Sequence, residues 1–89
     1  MKYVLFYESA GGDRSAAQAI FPAHREHYGA YARAGTLLMI GPFSDRTQGA
    51  MSVFTTREAA EEFVRADPFV QGGVVGSWRI EEWNEALVP

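Results

Sequence analysis

Residues 36–64, TLLMIGPFSDRTQGAMSVFTTREAAEEFV, contain the transition that decides the fold: two strand patterns followed directly by a helix pattern. The first strand is a continuous apolar run from Thr36 to Ile40, which Gly41-Pro42 brings to an end. The second strand pattern runs from Ala50 to Thr55. Because the polar connection 43–48 is only six residues long, we expect the two strands to pair antiparallel.

A helix is predicted to begin at the capping-box pattern Thr55-Thr56-Arg57-Glu58. It ends by Ala66, because Asp67 precedes Pro68 and a residue before proline is pushed out of the helical region. The residues expected to face inward are Ala59, Ala60, Phe63 and Val64.

The segment before this stretch contains one strand and one helix. Lys2 to Ser9 is rich in aromatic and β-branched residues and predicts a strand. The helix is expected to begin near Phe21, after a looser turn at 14–20, because Pro22 suits a first helical turn better than a helix interior. Gly35 is the expected C-cap.

A last strand is predicted from Val74 to Trp83, after a turn at 71–73. The complete order is then β-α-β-β-α-β, the ferredoxin-like split arrangement. We therefore predict an α+β fold in a single domain over 1–89, with a four-stranded antiparallel sheet and two helices on one of its faces.

Both faces of the predicted sheet are apolar. In the first strand, Tyr3, Leu5 and Tyr7 point to one side and Val4 and Phe6 to the other. In the second strand, Leu37 and Met39 point opposite to Leu38 and Ile40. A face that the helices leave open is unlikely to stay in water, and the chain contains no third layer. We expect a second copy of the chain to cover it, forming a homodimer.

Composition excludes several classes of protein. The 89 residues are 47% hydrophobic with a formal net charge of −3, which is typical of a folded domain and not of a disordered segment. The eight lysines and arginines are scattered, so no basic patch points to nucleic acid. The absence of cysteine excludes disulfides and thiolate metal sites. No apolar run is long enough for a membrane span and no signal peptide is seen, so we expect a cytoplasmic protein with no membrane partner.

His24 and His27 are the two histidines, and so among the few groups that can move protons near neutral pH. In a first helical turn, the helix dipole would disfavour a positive charge on His24, whereas a neighbouring carboxylate would favour it; the residues leave the balance open. The alternative is a half-buried structural histidine. His27 lies three residues on, but no carboxylate completes a metal site with the pair, so no metal is expected.

Asp67-Pro68 is a frequent turn starter in which the aspartate serves as a cap. One carboxylate oxygen can act as the cap while the other faces a histidine, so a role at a site stays open. Gly41-Pro42 allows close backbone approach to a ligand or simply ends a strand. The candidates for substrate binding are Tyr7, His27, Tyr28, Gly41, Pro42 and Phe69.

The chain resembles the YciI-like (YCII-related) family through motifs spread over nearly its whole length. The matching pieces are Pro22-Ala23-His24, Gly35 with Thr36 to Pro42, Ala59 to Val64, Asp67-Pro68-Phe69 and Gly72-Gly73-Val74. The resemblance implies a ferredoxin-like subunit of the dimeric α/β-barrel type. It also implies a catalytic pair formed by His24 and Asp67. Few members have an assigned substrate, and one relative is implicated in dechlorination.

Three functions are consistent with the sequence. The first is a small enzyme, of a lyase, hydrolase or dehalogenase kind, that uses His24 and Asp67 as a general acid–base pair on a small, acid-like organic molecule without a cofactor. The second is a non-catalytic module that binds or senses a small ligand. The third, by fold analogy alone, is a cofactor-independent monooxygenase or isomerase.

Overall fold

The computed structural model describes residues 1–12 and 14–86. The elements in chain order are β1 (Lys2–Ser9), α1 (Arg14–Arg33), β2 (Leu37–Pro42), a 3₁₀ turn (Arg46–Gln48), β3 (Ala50–Phe54), α2 (Arg57–Ala66), α3 (Pro68–Gln71) and β4 (Val75–Trp83). The strands form one antiparallel sheet in the order β2-β3-β1-β4. The predicted α+β, ferredoxin-like fold is confirmed. The single-domain prediction extends over 87–89, which lie outside the described residues.

The core lies between the sheet and the helices. Its buried members are Leu5, Tyr7, Leu37 and Phe54 from the strands and Ala60, Phe63 and Val64 from α2. Tyr28 and Tyr31 of α1 pack against this cluster. Both long helices therefore cover the sheet face that carries Leu5 and Tyr7, and that face positions the site described below.

Helix α1 is longer than expected and contains Pro22 in its interior. The expectation that the main helix begins near Phe21 is therefore wrong. A proline in a helix interior leaves the carbonyl four residues earlier without its N–H partner and costs about 3 kcal/mol. Here that carbonyl belongs to Gln18, and both Gln18 and Pro22 lie on the exposed side of the helix, where water can hydrogen-bond the carbonyl. His24 consequently lies in mid-helix, so the argument from the dipole of a first turn does not apply to it.

Helix α2 is capped by Thr56, one residue later than the first threonine of the predicted capping box. The Thr56 side chain accepts the N–H of Ala59 at 3.1 Å. Thr55 instead donates its N–H to Thr36 O at 2.9 Å, which continues the contact between the β2 and β3 chain segments.

Strand β2 does not alternate as simply as predicted. Leu37 pairs with Phe54, whereas Met39 pairs with Val53 and Ile40 with Ser52, so the register shifts across Leu38. The extra residue places Leu37 and Ile40 on the same, helix-covered face and turns Met39 to the other. β2 lies at an edge of the sheet, where such bulges are common because one side of the strand has no partner to hold its register.

The face opposite the helices carries Val4, Phe6, Met39, Met51 and Val53, and we call it the open face. Met39 is 59% exposed there. The guanidinium of Arg79 lies 4.2 Å from the centre of the Phe6 ring and forms an ion pair with Glu81. The open face thus combines apolar side chains, among them the exposed Met39, with the charged residues Lys2, Glu8, Arg79 and Glu81.

Among the helices of the described residues, none combines the length and apolar character that crossing a membrane would require.

Candidate active site at the His24–Asp67 pair

Asp67 joins α2 to α3, and its local conformation follows from the sequence. Its backbone is extended, with φ −69° and ψ 122°, as expected for a residue before proline. This conformation ends α2 and lets Oδ1 of Asp67 accept the N–H of Phe69 at 3.0 Å, which caps α3. The predicted capping role of Asp67 is thereby seen directly.

The same carboxylate is completely buried and receives two side-chain donors from distant elements. Nδ1 of His24 lies 2.7 Å from Oδ1, and the hydroxyl of Tyr7 donates to Oδ2 at 2.6 Å. Burial alone raises the pKa of Asp67, but the hydrogen bonds from His24, Tyr7 and Phe69 N–H together lower it below its ordinary value. Asp67 is therefore ionised at neutral pH and acts only as an acceptor.

His24 is held in one orientation by the carboxylate of Asp67 and by two aromatic rings. Its ring stacks on Phe69, with centroids 3.9 Å apart and planes 9° from parallel, and it meets Tyr28 edge-on at 5.3 Å. Because Asp67 only accepts, the neutral imidazole carries its proton on Nδ1 and leaves a lone pair on Nε2.

Nε2 of His24 is the atom available for chemistry. It has no hydrogen-bond partner among the described residues, and it is not one of their fully buried polar atoms without a partner. It therefore keeps contact with solvent, although the residue as a whole is only 7% exposed. An imidazole fixed by a carboxylate on one nitrogen and accessible at the other is arranged to accept a proton.

Tyr7, predicted to bind substrate, lies in the core with its hydroxyl on Asp67. Burial, followed by the hydrogen bond and the negative charge of Asp67, raises the pKa of Tyr7 well above its ordinary value. The phenol therefore stays protonated and donates.

His27 lies on the side of α1 that faces α2. Its Nε2 is 2.9 Å from the carbonyl oxygen of Phe63, and its ring packs against Phe63 and Tyr31. No hydrogen bond joins it to His24 or Asp67 within the described part of the chain. A search of the described residues finds no group of three or more His, Cys, Asp or Glu side chains able to hold a metal ion.

Gly41 and Pro42 are divided between the two faces of the sheet. Pro42 and Tyr7 both pair with Ala50, so Pro42 shares the helix-covered face with Tyr7, roughly 10 Å away across β3. Gly41 pairs with Met51, in the row of Phe6 on the open face. The structure therefore brings Tyr7, Tyr28 and Phe69 to the His24–Asp67 pair, but neither Gly41 nor His27.

Phe21 belongs to the site and was missed as a candidate. It is 43% exposed, and its ring centre lies 6.2 Å from that of His24 and 6.4 Å from that of Phe69. Phe21 and His24 are three residues apart, and in a continuous helix this spacing places them on one face. A helix that begins only at Phe21, as predicted, does not indicate this contact. We call Phe21, Tyr28 and Phe69 the aromatic rim.

A sequence model of the YCII-related domain matches residues 1–84. The chain belongs to this family. A comparison with curated proteins finds no match.

Among solved structures, the YCII-related chain is similar to 5-chloro-2-hydroxyhydroquinone dehydrochlorinase (TftG) from Burkholderia phenoliruptrix AC1100, solved in complex with 2,5-dihydroxybenzoquinone. The TM-score is 0.79 at 17% sequence identity, covering 97% of this chain and 96% of that one. At this identity the similarity establishes the fold.

Hollows of about 510 and 270 Å³ lie elsewhere on the described part of this YCII-related chain, and neither is lined by His24 or Asp67. The larger one is bordered by β1, the β2–β3 connection and Arg79, and the smaller one lies on the open face.

Proposed function

We propose that this protein is a small acid–base enzyme in which His24 is the general base and Asp67 holds it in place. The observation that carries the proposal is the 2.7 Å contact between Nδ1 of His24 and Oδ1 of a fully buried Asp67, with Nε2 left accessible.

The chemistry available to this geometry is proton transfer. Nε2 accepts a proton from an O–H or C–H of the substrate, and the ionised Asp67 stabilises the imidazolium that forms. The proton then passes from Nε2 to a leaving group or to water, which restores the neutral base. Proton transfer of this kind contributes about 10²–10⁴-fold to a rate.

The aromatic rim supports a small cyclic or unsaturated substrate. The rings of Phe21 and Phe69 lie beside the imidazole, and flat apolar faces favour stacking of a planar molecule. The substrate of the similar dehydrochlorinase is such a ring, and its reaction removes the elements of HCl. For this chain, that reaction would use Nε2 to move a proton twice. It would first carry a proton from a ring hydroxyl to the carbon that bears chlorine, giving a keto tautomer, and then take the proton of a second hydroxyl as the C–Cl bond breaks and chloride leaves to solvent.

The first experiment uses the two molecules named for that enzyme as probes. We expect the wild-type protein to release chloride from 5-chloro-2-hydroxyhydroquinone faster than buffer does, and 2,5-dihydroxybenzoquinone to shift the NMR signals of His24 more than those of His27. Long-range ¹H–¹⁵N spectra should show neutral His24 with its proton on Nδ1. A neutral His24 with its proton on Nε2 would contradict the proposed base.

A ligand-binding module is the second candidate, and one observation favours it. Asp67 ties β1, α1 and α3 together through Tyr7, His24 and Phe69, so the pair has a structural task even without catalysis. Such a module would bind 2,5-dihydroxybenzoquinone at His24 but release no chloride from the chlorinated probe. Binding without turnover would therefore favour this candidate over the enzyme.

We also propose that the active form is a homodimer packed through the open face. Met39→Glu adds a charge to an exposed apolar residue of that face, and burying an unpaired charge is strongly unfavourable. Light scattering after gel filtration should give twice the 9.8 kDa chain mass for the wild type and a single chain mass for Met39→Glu. Ala30→Glu, on the exposed side of α1, is the control and should remain dimeric. A monomeric wild type would refute the interface.

A further inference from the structure

The phenol of Tyr7 makes the shortest polar contact at the candidate site. Its hydroxyl lies 2.6 Å from Oδ2 of Asp67, and the two residues are 60 positions apart in the chain. Tyr7 is 7% exposed and Asp67 is not exposed at all. A buried hydroxyl requires a partner, and here the partner is the carboxylate that holds His24.

We infer that Tyr7 is a positioning residue for His24, setting through Asp67 how strongly the imidazole binds a proton. The inference rests on the proposed function in that it concerns the same base. Among the described residues, no hydrogen bond or ring contact joins Tyr7 directly to His24, whereas both are hydrogen-bonded to the carboxylate of Asp67.

Two physical effects carry this coupling. The hydroxyl fixes the rotation of the carboxylate, because Oδ2 is held from β1 while Oδ1 is held by the N–H of Phe69 and by His24. The hydroxyl also draws negative charge towards Oδ2, so that Oδ1 attracts the proton on Nδ1 less strongly. Without the hydroxyl, Oδ1 would be a stronger acceptor and would favour the imidazolium over the neutral base.

The charged surroundings of His24 are simple enough for this effect to be measured. Among the described residues, the titratable side chains that form a hydrogen bond or a ring contact with His24 are Asp67, from the junction of α2 and α3, and Tyr28, from α1 itself. Burial and the charge of Asp67 raise the pKa of Tyr7, so the phenol remains a donor throughout the range in which histidine titrates. The pKa of Asp67 is lowered, so it remains an acceptor there.

The test is the titration of His24 followed by NMR without any substrate, comparing the wild type with Tyr7→Phe and Tyr31→Phe. Tyr31→Phe is the matched control, because it removes a hydroxyl that donates to a carboxylate, Glu62, at 2.8 Å on the exposed side of the protein. We expect the midpoint of His24 to rise by about 0.5 pH unit or more in Tyr7→Phe and to stay in place in Tyr31→Phe. An unchanged midpoint in folded Tyr7→Phe would overturn the inference.

A second variant covers the case in which Tyr7→Phe does not fold. Incorporating 3-fluorotyrosine at position 7 alone keeps the hydroxyl and its bond but makes it a stronger donor. The midpoint of His24 should then fall below that of the wild type, and an unchanged or higher midpoint would overturn the inference. Since no substrate is involved, these outcomes are independent of whether the chlorinated probe turns over, and the two proposals can fail separately.

Discussion

Replacing His24 by asparagine is expected to reduce kcat about 10²–10⁴-fold while the protein stays folded. The amide nitrogen of asparagine occupies nearly the position of Nδ1, so it can still donate to Oδ1 of Asp67. What the substitution removes is Nε2, the atom proposed to take the proton. The effect should therefore appear in kcat, because Nε2 interacts with the proton while it is transferred and not with the bound substrate before the reaction.

The measurement is steady-state turnover of a substrate accepted by the wild type, with chloride release from 5-chloro-2-hydroxyhydroquinone as the first assay. His27→Gln is the matched control, because glutamine can keep the hydrogen bond that His27 makes to the carbonyl oxygen of Phe63. We expect His27→Gln to retain turnover, since His27 faces α2. His24→Asn with the kcat of the wild type would remove His24 from the mechanism.

Replacing Asp67 by alanine is expected to lower the free energy of unfolding by about 3–5 kcal/mol near neutral pH. The substitution leaves three donors without an acceptor: the buried Tyr7 hydroxyl, the buried Nδ1 of His24 and the partly buried N–H of Phe69. For a domain of this size, such a loss corresponds to a fall in Tm of roughly 12–40 °C. Asp67→Asn keeps the shape and one acceptor oxygen, so its loss should be smaller.

The pH dependence identifies the carboxylate charge as the source of this stability. The pKa of Asp67 is lowered by folding from an ordinary value of 3.8, so its contribution is fully present above that value and is lost as the pH falls through the folded-state pKa. The difference in unfolding free energy between the wild type and Asp67→Asn should therefore shrink below about pH 4.

Chemical denaturation at a series of pH values measures this difference. Asp45→Ala is the control, because Asp45 is an exposed aspartate whose side chain likewise accepts a backbone N–H, that of Thr47. We expect a much smaller loss there, since water replaces the missing carboxylate. Equal losses of unfolding free energy in Asp45→Ala and Asp67→Ala would show that the hydrogen bonds of Asp67 to Tyr7 and His24 add no stability beyond that of its helix cap.

The local features were the ones most accessible to prediction. The order of elements, the turn at Asp67-Pro68 and the positive φ of 81° at Gly35 all depend on residues within a few positions of one another. Proline restricts the backbone conformation of the residue before it, and glycine adopts a positive φ without strain, whatever the rest of the fold. Sequence was therefore sufficient for the fold class and for the aspartate cap.

At Pro22 and Leu38 the predictions made from local sequence were wrong, for related reasons. They concerned the start of α1 and the alternation of side chains in β2. The penalty of a proline in α1 is a few kcal/mol, and burial of the helix face that carries His24 and Tyr28 outweighs it. The bulge at Leu38 places both Leu37 and Ile40 against the helices, a gain that a strictly alternating strand would lose. In both cases packing between distant elements overrides a local preference.

The sequence by itself determined the ferredoxin-like order of strands and helices, the capping role of Asp67 and, through its family motifs, the pairing of His24 with Asp67. Only the tertiary structure decided that Nδ1 faces the carboxylate while Nε2 faces solvent, that Phe21 and Phe69 flank the ring, and that Tyr7 occupies Oδ2. The reason is physical: element order follows from interactions between near neighbours, whereas the direction of a buried hydrogen bond depends on side chains from three elements packing together. Asp67 takes part in both kinds of interaction. It ends α2 through its place before Pro68, and its carboxylate joins that helix end to β1 and α1 across the core.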